Sequence, residues 1–156
     1  MMVVISIIVI LMGIIVGVYL SAKGRRDEKK VLAEMKALEL AIHNYHTEHN
    51  FFPPDDHDPD NPDSFDPNKN GLFESLTQGF EKDENGQPLK NFLEGTQMKN
   101  DGNGNLVAPV DNPDDPSQPN FWQYNSHFPP NNPERYDLWV PVRVGKEILI
   151  LRNWGD

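Results

Sequence analysis

The sequence predicts an α+β fold in which one long N-terminal helix packs on a small antiparallel sheet. Three observations predict it. An uncharged apolar run fills positions 1–20, an amphipathic 3.6-residue pattern continues it to about Asn50, and short alternating segments gather near the C-terminus. A chain of 156 residues has room for one domain. It divides into a membrane helix (1–22), an amphipathic continuation of the same helix (23–52) and a soluble acidic head (53–156).

The apolar run comes first. At 1.5 Å per helical residue, twenty residues span about 30 Å, the thickness of a bilayer's hydrocarbon core. A cleaved secretory signal would instead show a basic n-region, a shorter apolar core and a small-residue cleavage site. Gly13 and Gly17 form a GxxxG pair inside the run. The spacing suits close helix packing in membranes, and it also arises by chance where small residues are tolerated.

Past the run, Val31, Leu32, Met35, Leu38, Ile42 and Tyr45 recur at spacings of three and four, which is one apolar stripe. No Gly or Pro lies between Arg25 and Phe52, and Pro53-Pro54 then ends the helix. The stretch 53–70 is nearly devoid of core formers and reads as a solvated loop. Leu72–Phe80 reads as a short helix, Asn91–Glu94 as a turn, and 99–120 as loop. Strands are expected at Phe121–Asn125, Tyr136–Val144 and Glu147–Arg152, the last two joined by a Gly145-Lys146 hairpin turn. Pro141 places its strand at an edge or at a bulge.

Charge is divided along the chain. Six of the 14 Lys and Arg lie between Lys23 and Lys36, whereas Phe51 onward carries 8 basic against 19 acidic residues, a net −11. Such a head repels phosphates, which excludes nucleic acid as a partner and suits divalent cations. Cysteine is absent, which removes disulfides, thiolate metal sites and cysteine nucleophiles. No Ser-His-Asp order, phosphate loop or paired-carboxylate site stands out, so no enzyme is expected.

Asp66-Pro-Asn68-Lys-Asn70-Gly71 has oxygen donors at alternate positions and Gly at the turn, as a calcium loop opens, with Glu74 as a further ligand. Thr77 stands where a bidentate acid belongs, and such clusters are also ordinary turn chemistry. His43, His46 and His49 drift round the helix by about 60° per step, so a polar flank is expected rather than zinc. Trp122, Trp139 and Trp154 are expected in the core against the helix stripe.

Met1-Met-Val-Val-Ile-Ser-Ile-Ile-Val-Ile-Leu11 resembles the N-terminal signature of type IV pilins and pseudopilins. Phe52-Pro53 resembles the aromatic-proline close of the pseudopilin helix. Tyr136-Asp-Leu-Trp139 and Asn153-Trp154 resemble the corresponding pair in the major pseudopilin of type II secretion. The resemblance covers both ends, leaving the loops from Pro54 to Asn120 unmatched. It implies a pilin-like fold and a subunit that polymerises through its N-terminal helix to drive protein export. The partners it implies are further copies, other pseudopilins and inner-membrane secretion components. It places the chain in the bacterial inner membrane, single-pass, with the head in the periplasm.

In that family Gly-Phe-Thr-Leu-Ile-Glu precedes the apolar run and carries cleavage, methylation and the filament-core glutamate. Met1 would follow that glutamate directly, so the expectation is a start further upstream, the alternative being a remnant that cannot be processed. The family's C-terminal calcium loop is replaced here by Val140-Pro-Val-Arg-Val-Gly-Lys146. Lys23–Lys30 holds five basic and two acidic residues, which under the positive-inside rule alone would face the cytoplasm. The alternatives are a type IV pilus subunit and a non-polymerising, membrane-tethered calcium-binding head.

Overall fold

The computed structural model describes residues 2–57, 60–61, 64–78 and 90–155, with the backbone alone for 2–4, 14–21 and 78. Helix α1 spans Met2–His49, which at 1.5 Å per residue is about 72 Å. It stops where the sequence removes its donors. Asn50 takes a left-handed φ of 61°, its N–H returns to the His46 carbonyl at 2.8 Å, and Pro53-Pro54 follow. A left-handed residue just past the last turn is a standard helix stop, and Asn tolerates it.

Among the described residues, no helix is long and apolar enough to cross a membrane. Of the expected membrane segment 1–22, the side chains described are those of 5–13, about 14 Å of helix, and Ala22. Gly17 lies outside the described side chains. Gly13 is exposed, with nothing within 4 Å of where its Cβ would sit.

The head forms on the second half of α1. Short helix α2 is Leu72–Gln78, and the expected extension to Phe80 runs outside the described residues. Within the stretch 99–120, expected as loop, two short strands, β1 (Lys99–Asn100) and β2 (Leu106–Val107), pair antiparallel. The main sheet has order β3-β4-β5, with β3 at Gln123–Asn125, β4 at Asp137–Val144 and β5 at Glu147–Arg152. The expected start of β3 at Phe121 is instead an isolated bridge to Val107.

Pro141 corrects an expectation. It sits in the central strand, paired with Ile150 in unbroken register. Its missing N–H costs nothing because β3 pairs no further along β4 than Trp139. The Pro141 carbonyl accepts instead from Asn120 Nδ2 at 2.8 Å.

One core joins these pieces. Val31, Met35, Leu38, Ala41, Ile42 and Tyr45 of α1 are buried against Leu72, Leu76, Trp122, Tyr124, Leu138, Val140 and Val142. Val140 and Val142 alternate inward as a two-residue period requires. Leu32 departs from the expected stripe and is 38% exposed. Of the three tryptophans only Trp122 is fully buried. Trp139 and Trp154 are half-buried and meet edge-to-face at 5.5 Å. They were expected in the core, but Trp139 alternates with Leu138 and Val140 and therefore faces the other side of the sheet.

Helix and sheet come close at Gly24. A Cβ there would lie 2.8 Å from Val144 Cα and 2.9 Å from Gly145 N. Thus β4 runs antiparallel to α1, beginning beside Phe52, whose ring lies 5.2 Å from that of Tyr136, and ending beside Gly24.

Candidate functional site

The calcium-loop residues do not share one role. Asn70 is fully buried. Its Nδ2 donates to the Trp122 and Leu106 carbonyls at 2.7 and 3.3 Å, while its Oδ1 accepts from Leu72 N and Leu106 N at 3.1 and 3.0 Å. All four hydrogen-bonding positions of the carboxamide therefore go to backbone groups of α2, β2 and the approach to β3. Asp66 Oδ1 accepts from Asn68 N and Nδ2, both at 3.0 Å, closing an Asx turn.

Asp66, Asn68 and Glu74 do share a surface. They line an open groove of ≈ 1000 Å³ with Asp55, Asp56, Lys69, Asp101, Asn103 and Asn105, with Pro54 and Phe121 as its apolar parts. Asp55 Oδ2 is held by Ser126 N and His127 N at 2.7 and 3.0 Å. Burial would raise the Asp101 carboxyl, but hydrogen bonds from the Asn105 and Asn103 side chains and N–H groups outweigh it and hold it below the ordinary carboxylate range. Asp56 and Glu74 are exposed.

Asp101-Gly-Asn-Gly-Asn105 repeats the spacing of Asp66-x-Asn68-x-Asn70, a second signal of the same kind in the sequence. The two loops interlock. Gly71 N donates to Asn105 Oδ1 at 3.2 Å and Phe73 N to the Gly104 carbonyl at 3.0 Å. Among the described residues, no group of three or more His, Asp or Glu is placed to hold a metal ion. The helix histidines do not form a uniform polar flank: His49 is half-buried, its ring 4.5 Å from that of Tyr45. His43 is exposed, and His46 stacks on Phe52 at 4.2 Å.

The C-terminal motifs meet in space. Asp137 is 1% exposed. Its carboxylate accepts from Asn131 N and Nδ2 at 3.1 and 2.8 Å and from Asn132 N at 2.9 Å. Asn153 Oδ1 accepts from Leu138 N at 2.9 Å, and its Nδ2 donates to the Tyr136 carbonyl at 3.1 Å. Asp137 and Asn153 thus tie the 131–132 loop and the chain end to the start of β4, using the chain's own donors where charge-assisted bonds are strongest.

Mid-head, Trp122 Nε1 donates to Glu34 Oε1 at 3.0 Å across the helix–sheet seam. Burial raises the Glu34 carboxyl above its ordinary value, with the Trp122 bond and the Lys30 and Lys99 charges opposing.

The remaining surface is the rod itself. Ile5, Ile7, Ile8, Val9, Ile10, Leu11 and Met12 are each 50–65% exposed. Apart from Ser6 the described side chains of 5–12 are apolar, and exposed apolar surface of this extent marks sites of protein or membrane interaction. The geometry therefore defines a helix-anchored α+β head with an apolar stem and an acidic groove. No protein-family model, no curated protein and no solved structure matches the chain.

Proposed function

We propose that the chain is a structural subunit of a type II secretion pseudopilus, acting by self-association and not by chemistry. The observation that carries the reading is the bare apolar stem of α1, continuous with a helix whose other half is the spine of the head. Lipid covers such a stem while the subunit waits in the inner membrane with its head in the periplasm. Copies of itself cover it after extraction, because side-by-side stems bury the same surface. The stem then forms the core of a short helical filament, and the acidic heads coat it. Other pseudopilins and inner-membrane secretion components are its assembly partners. A type IV pilus subunit is the neighbouring reading; the joined Tyr136–Trp139 and Asn153-Trp154 segments favour the secretion branch.

The test uses the absence of native cysteine. Full-length chain carrying Ile10→Cys is oxidised in membranes of cells that express the secretion assembly components. Disulfide-linked dimers are expected, and their yield should rise when the assembly components are induced. Monomer alone at every expression level rejects the reading.

A further inference from the structure

We propose that the outer face of the β4–β5 hairpin is a docking surface for a second copy of this chain, and that it seats on the acidic groove of that copy. The inference rests on the self-association reading above and names the surfaces through which the heads meet.

β5 is the edge strand of its sheet. In register, Ile148 lies opposite Arg143, Ile150 opposite Pro141 and Arg152 opposite Trp139. Val140 and Val142 point to α1, so this alternate set points away from it. Ile148 and Ile150 are 44% and 59% exposed. Native sheets seldom leave such an edge apolar and uncovered.

Charge selects the occupant. Segment 137–152 carries Arg143, Lys146 and Arg152 against Glu147 and the buried Asp137, whereas the rest of the head from Phe51 has 5 basic and 17 acidic residues. The hairpin is thus an apolar, basic patch on an acidic body. The groove offers its complement: Asp56 and Glu74 at the surface, Asp55, Asp66 and Asp101 behind, and Pro54 and Phe121 as apolar contacts.

The hairpin turn and the groove also lie at opposite ends of the head. The hairpin turn sits against Gly24, and the groove begins at Pro54, just past the end of α1. From residue 24 to residue 50 the helix rises about 39 Å. Joining the hairpin of one copy to the groove of the next keeps both α1 helices pointing the same way, as stems leaving one membrane must. The contact is heterologous and does not close on itself, which generates a helical polymer. Antiparallel pairing of β5 with β5 of a second copy would set the stems in opposite directions, since β5 runs parallel to α1. A bilayer is the weaker occupant. The hairpin tip is Gly145-Lys146, and Ile150 lies about 13 Å from the turn along a strand parallel to the stem.

The experiment uses full-length chain in assembling cells. Lys146→Cys and Asp56→Cys are expressed on separate copies and oxidised, alongside the Ile10→Cys stem probe. Mixed dimers between the two are expected, and a copy carrying both cysteines should give a ladder beyond dimer. Lys146→Glu with Arg152→Glu should reduce pelletable filament about tenfold, and Asp56→Lys with Glu74→Lys on the same chain should restore it. Stem cross-links without any hairpin-to-groove cross-link would overturn this inference and leave the pseudopilus reading standing. Loss of both would overturn the two together. An environment-sensitive label on Ile150→Cys that reports an apolar setting in liposomes too dilute for copies to meet would assign the face to lipid and overturn the inference.

Discussion

Asn70 is where the calcium reading and the structural reading part company. The structural reading has Asn70 closing three buried backbone groups, Leu72 N, Leu106 N and the Trp122 carbonyl, while the Leu106 carbonyl also receives Trp122 N. Asn70→Ala orphans those three, at about 1–2 kcal/mol each, a loss of about 4 kcal/mol. For a protein of this size roughly 4 °C is lost per kcal/mol, so Tm should fall by about 16 °C. Asn70→Asp is nearly isosteric and separates the two ideas. A carboxylate oxygen in place of Nδ2 faces the Trp122 and Leu106 carbonyls, an unpaired buried charge. The variant should therefore melt well below the parent with or without calcium, and recover part of the loss in acid. The assay is thermal unfolding of detergent-solubilised full-length chain in chelator and in millimolar calcium. Calcium restoring Asn70→Asp to the parent Tm would refute the structural assignment and return Asn70 to a ligand set.

Other expectations follow from the same geometry. Gly24→Ala gains about 1 kcal/mol of helix propensity but drives a Cβ into Val144 and Gly145 backbone, so a net loss of about 1–2 kcal/mol is expected in urea unfolding. Glu34 has a folded carboxyl raised above its ordinary value of 4.5. The folded state therefore binds more protons than the unfolded state just above that value, and this contribution to stability falls as pH rises through the window. Glu34→Gln, which keeps an acceptor for Trp122, should flatten that slope in pH-dependent melting. Asp137→Ala strands Asn131 N and Asn132 N and should cost about 2–3 kcal/mol, with the 131–135 loop becoming the first site of limited proteolysis.

Much of the head was legible because periodicity reports burial directly. The α1 stripe from Val31 to Tyr45 and the Val140/Val142 alternation are what a half-buried helix and strand must show. β5 was placed to the residue because Gly145, with its φ of 64°, marks the turn. What the pattern could not show was context. Pro141 looked like an edge residue because a missing N–H is visible in sequence, whereas the early end of β3 is not. Trp139 looked like core because side-chain size does not report which face of a strand it occupies. Asn70 looked like a ligand because an amide that pins backbone and an amide that binds cation have the same letter and the same spacing. β1 and β2 escaped because two-residue strands carry no period, and their loop is held by Asp101 and Asn105 side chains rather than by apolar pattern.

The most direct measurement is electron microscopy of material released from cells that express full-length chain with the secretion assembly components. The account predicts thin filaments that contain the chain, lost when Ile8→Asp and Ile10→Asp break the apolar sleeve of α1. Only dispersed, membrane-bound monomers from the parent chain, or filaments untouched by those charges, would contradict it.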